Sequence, residues 1–89
     1  MNAMVATYIR IAPLGAATPI EPLVLRDLLY AQTTAASRVE HIRIRAGPHA
    51  VDVIAFIDSD DVEEATDTLH RLVSSAIATT PQLRPWRIV

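Results

Sequence analysis

Hydrophobic and polar positions along this chain follow two different periods. Over residues 5–11, Val5, Thr7, Ile9 and Ile11 fall on one side while Tyr8 and Arg10 fall on the other. A period of two with β-branched residues inward predicts a strand. Two further runs, Val39 to Arg45 and Ala50 to Asp58, flank Ala46-Gly47-Pro48-His49 and predict a hairpin. With Gly47 and Pro48 at the centre of a tight turn, Ile44 stands opposite Val51, Ile42 opposite Val53 and Glu40 opposite Ala55 on one face. The other face then pairs Arg45 with Ala50, Arg43 with Asp52, His41 with Ile54 and Val39 with Phe56. Proline after glycine is a poor hairpin centre, so a three- or four-residue loop with a bulge stays open and would change these partners.

Elsewhere the period is helical. Leu25, Leu28, Leu29 and Gln32 mark one face of a first helix that begins at Glu21 or Pro22, where proline needs no intrahelical N–H bond. Polar Thr33, Thr34 and Ser37 weaken its far end, which the pattern places between Thr34 and Ser37. A second helix is capped by Ser59 or Asp60, with Glu63 or Glu64 following in its first turn. Its apolar stripe is Val62, Ala65, Leu69, Leu72, Val73, Ala76 and Ile77. Pro81 follows its end, and Arg84 to Val89 supplies a short edge strand with Pro85 at its start. The stretch from Ala12 to Ile20, with Pro13, Gly15 and Pro19, is the longest loop, and Gly15 there suits a turn with positive φ better than a ligand's close approach.

The order strand, helix, strand, strand, helix, strand predicts an α+β fold. It matches a ferredoxin-like βαββαβ sandwich, with two helices on one face of a four-stranded antiparallel sheet and the other face open. ACT-like amino-acid-sensing modules, RNA-recognition domains and dimeric small-molecule enzymes share this topology, so the fold alone does not choose a function. The 89 residues, about half of them hydrophobic, suit one core and hence a single domain over 1–89. With no cysteine, the chain has no disulfide scaffold, thiol nucleophile or cysteine-ligated metal site. No apolar run approaches the roughly 20 residues that cross a bilayer. The opening Met1-Asn2-Ala3-Met4 lacks the blocks of a secretory signal, which leaves the cytoplasm as the expected location.

Candidate chemistry gathers on the open face. Tyr8, Arg10, His41, Arg43, Ile54 and Phe56 are the expected ligand-binding or interface residues, because aromatic and aliphatic groups interleaved with arginines suit a buried contact between proteins. His41 beside Tyr8 is also a proton-transfer candidate, with Arg10 or Arg43 to hold an anionic substrate. Tyr8 and Phe56 on neighbouring strands offer a stacking platform for RNA. Against nucleic acid stand a net charge of −2, the lack of a basic-glycine-aromatic strand opening, and Asp52 and Asp58 facing the phosphates. The histidines His41, His49 and His70 have no metal-ligand spacing, and Asp58-Ser59-Asp60-Asp61 reads as a helix start, so no metal is expected. With two glycines and no phosphate-binding loop, no cofactor is expected either. The leading expectation is a noncatalytic homo-oligomerising or small-ligand-sensing regulatory domain. A dimeric small-molecule enzyme using His41 and Tyr8 is the alternative, followed by an RNA-binding module.

Overall fold

The computed structural model describes residues 3–16 and 19–89. Strand β1 runs Met4–Pro13, helix α1 Pro22–Tyr30, β2 Val39–Ala46, β3 Val51–Asp58, helix α2 Val62–Thr79 and β4 Trp86–Ile88. The strands form one antiparallel sheet in the order β2-β3-β1-β4, so the chain is a ferredoxin-like α+β sandwich with βαββαβ connectivity. No described helix is long and apolar enough to cross a membrane.

The period of two assigned the faces of β1 and β3 correctly. Along β3, Val51, Val53, Ala55 and Ile57 are buried, while Asp52, Ile54, Phe56 and Asp58 lie half-buried on the other side. The core joins these residues to Ile9, Ile11 and Ile42, to Leu25 and Leu29 of α1, and to Ala65, Leu69, Leu72, Val73 and Ala76 of α2. Leu83 and Trp86 close it near the C-terminus. One polar link crosses this layer, with Thr7 Oγ1 2.8 Å from Thr66 Oγ1. The bond pairs one donor with one acceptor at a partly buried position.

The hairpin register is shifted by two residues from the tight-turn expectation. Ala46 pairs with Val51, Arg45 with Asp52, Arg43 with Ile54 and His41 with Phe56, leaving the four-residue loop Gly47-Pro48-His49-Ala50 closed by Gly47 N–H donating to Ala50 O at 2.9 Å. Pro48 cannot take the positive φ that a type I′ turn demands of its second central residue, and a proline also restricts the residue before it, so the loop lengthens. A shift by two keeps every side chain on its face. A bulge at Glu40 separates the Val39↔Ile57 and His41↔Phe56 pairs. Val39, expected on the open face opposite Phe56, is thereby turned to pack against the core, and Glu40, expected opposite Ala55, is exposed. Burying a β-branched apolar residue in place of a carboxylate is the gain that favours the irregularity.

Both helices differ from the sequence pattern at one end. Glu21 caps α1, its side chain accepting Val24 N–H at 3.3 Å. The helix stops at Tyr30 rather than between Thr34 and Ser37. The Thr33 hydroxyl donates to Tyr30 O at 2.7 Å, and Ser37 Oγ bonds both the N–H and the carbonyl of Thr34, drawing off groups that further helical turns would use. The cap of α2 is Asp61, not Ser59 or Asp60, and accepts from Glu63 and Glu64 N–H at 3.0 and 3.3 Å. Val62 then occupies the first helical position and is 61% exposed, against the expectation that it joins the buried stripe. A helical side chain leans toward the N-terminus, and for Val62 that direction leads away from the packed turns. Gly15 has φ +84° with open space where a Cβ would stand, so conformation rather than close approach requires it.

Candidate functional site

The helices cover one face of the sheet, and the face left open carries all six residues singled out from the sequence. Strand pairing arranges its centre in three rows. Ala6, Phe56 and His41 form one, Tyr8, Ile54 and Arg43 the next, and Arg10, Asp52 and Arg45 the third. Successive rows are about 7 Å apart and neighbouring strands about 4.8 Å apart. The face is apolar at its centre, where Tyr8 is 62% exposed and Ile54 and Phe56 are half-buried. The His41 and Phe56 rings lie against each other, 5.9 Å between centroids and tilted by 39°.

Charge is ordered along the strands. In the third row Arg10 grips Asp52 with two hydrogen bonds, Nε to Oδ1 at 2.8 Å and Nη2 to Oδ2 at 3.4 Å. The hydrogen bonds from Arg10, more than any other cause, hold the Asp52 carboxyl below the usual carboxylate range, and the nearby Arg45 charge acts in the same direction. Asp52 was expected to pair with Arg43 across the hairpin. The two-residue shift puts Arg45 opposite it instead, and the ion pair comes from β1. Among the described residues Arg43 and Arg45 have no salt-bridge partner. At the other end of β3, Asp58 stands opposite Met4, followed by Asp60 and Asp61.

A shallow basin of about 360 Å³ opens on this face, bounded by Ala6, Tyr8, Arg10, Arg45, Asp52 and Ile54. Arg45 was not among the expected site residues. The signal for it was the unsuitability of Gly47-Pro48 as a two-residue turn, since only the longer loop brings Arg45 level with Asp52. The basin does not include His41. His41 and Tyr8 stand diagonally across β3, about 12 Å apart at Cα by ordinary sheet spacings, with Ile54 and Phe56 between them. No hydrogen bond joins the two residues. The arrangement brings together an apolar centre with arginines at its margin, and it does not bring together the proposed acid and base. Among the described residues no group of three His, Cys, Asp or Glu side chains is placed to hold a metal ion.

The chain matches no protein-family model, no curated protein and no solved structure, so the reading of this face rests on its own geometry.

Proposed function

We propose that this chain is a noncatalytic domain that self-associates through the open face of its sheet. The observation that carries the reading is the apolar centre on the two middle strands, with Tyr8 exposed beside Ile54 and Phe56 and with Arg10, Arg43 and His41 around it. Monomeric proteins seldom leave a contiguous aromatic and aliphatic surface uncovered in the middle of a sheet, and a contact of this composition matches the cores and rims of protein interfaces. The reading is tested by light scattering over a concentration series, with circular dichroism to follow the fold. Wild-type protein is expected to be at least dimeric. Phe56→Glu, which desolvates a charge in the contact, weakens association and leaves the helix signal intact. A wild-type chain that stays monomeric at high micromolar concentration overturns it.

A second reading, small-ligand sensing on the same face, is favoured by the basin beside Tyr8 and by Arg45, whose guanidinium has no salt-bridge partner among the described residues. It suits a small anion with an apolar body, and a regulatory role would follow if that ligand altered self-association.

A further inference from the structure

We infer that two copies pack open face to open face with their strands antiparallel, about a two-fold axis that crosses the strands between Ile54 and Phe56. The inference rests on the self-association reading above and specifies its geometry.

Edge-to-edge pairing is poorly served by this sheet. On β2 the Ile42 N–H is already bonded to the Tyr30 hydroxyl and the strand is bulged at Glu40, while β4 is only three residues long. Bulged, capped or short edges resist strand addition. The face remains, and its charges and side-chain sizes choose between two ways of stacking it. With the two-fold along β3, strands run in parallel, Asp52 faces Asp52 of the second copy and Asp58 faces Asp58. Like charges then meet at both ends of the contact, which disfavours this register.

With the axis across the strands, each row of one copy lies over a different row of the other. Phe56 covers Ile54 of the second copy, and Tyr8 covers Ala6, so that large side chains meet smaller ones. Sheets in face contact lie about 10 Å apart, a gap that such interdigitated side chains fill. Asp58 of each copy lies over the Arg10, Asp52 and Arg45 row of the other. Asp58 thus stands over Asp52, which is already held by Arg10, and one strand to the side it meets the guanidinium of Arg45, which has no salt-bridge partner among the described residues. The row's two arginines offset the two carboxylates that come together. One two-fold therefore supplies a hydrophobic centre and two equivalent Asp58–Arg45 contacts at its ends, as an isologous interface requires.

Charge reversal tests the arrangement. Sedimentation velocity is measured on wild type, Asp58→Arg, Arg45→Asp, their equimolar mixture and the double variant, with circular dichroism confirming that each is folded. Each single variant, which sets like charges against each other twice, is expected to raise the dimer dissociation constant by about tenfold or more. The mixture forms a heterodimer with one contact in the original sense and the other reversed, and the double variant, with both reversed, dimerises with itself. Single variants that dimerise like wild type overturn the antiparallel register, as does a mixture no tighter than its components. If those results accompany a wild-type dimer that Phe56→Glu breaks, the face is still the interface and only the register is wrong. A monomeric wild type removes the self-association reading itself.

Discussion

The Tyr30 hydroxyl, carried on the last residue of α1, accepts the backbone N–H of Ile42 on edge strand β2 at 2.8 Å. That N–H points away from β3 and would otherwise be an open donor on the sheet's rim. The bond gives the early end of α1 a structural role, because it places Tyr30 beside the strand, and it turns a helix terminus into a guard for an edge.

Tyr30→Phe keeps the ring and removes the acceptor. It is expected to cost about 1 kcal/mol in urea denaturation. Amide hydrogen exchange at Ile42 should quicken while buried amides of β3 keep their protection. Unchanged exchange at Ile42 would show that the bond is not maintained in solution.

The turns of α2 differ sharply in burial. Leu72 is 6% exposed and lies within the core, so Leu72→Ala should destabilise by roughly 2 to 4 kcal/mol through lost burial and a residual cavity. Val62→Ala, at the exposed first position, should change stability by less than about 0.5 kcal/mol. Equal losses at the two sites in chemical denaturation would contradict the helix's placement.

The Arg10 and Asp52 pair makes a prediction about acid. Because the fold lowers the Asp52 pKa, the carboxylate's contribution is fully present above its unfolded value of about 3.9 and is lost as pH falls through the lower folded value. Asp52→Asn should therefore be less stable than wild type at neutral pH, and the two urea midpoints should converge below about pH 4. The effect is modest, since Arg10 is half exposed to solvent and salt. A difference independent of pH between 2 and 7 would mean that the ion pair contributes nothing.

Much of this protein was determined locally. Alternation in β1 and β3 chose which residues face the helices, because a strand's side chains obey a period of two wherever its partner lies. The same alternation put Tyr8, Arg10, His41, Arg43, Ile54 and Phe56 on one face, and the apolar stripe of α2 from Ala65 onward followed from helical geometry alone. Other features depended on competition between distant groups. The length of the 47–50 loop set which arginine stands level with Asp52, and the Glu40 bulge moved Val39 from the open face to the core. Whether Asp52 would pair across the hairpin or with Arg10 on β1 was settled only when β1 and β3 came together, since strand order lies beyond any local period. Periodicity assigns a side chain to a face without closing any loop, whereas register and partner choice are fixed by closing loops and burying surfaces between segments far apart in sequence.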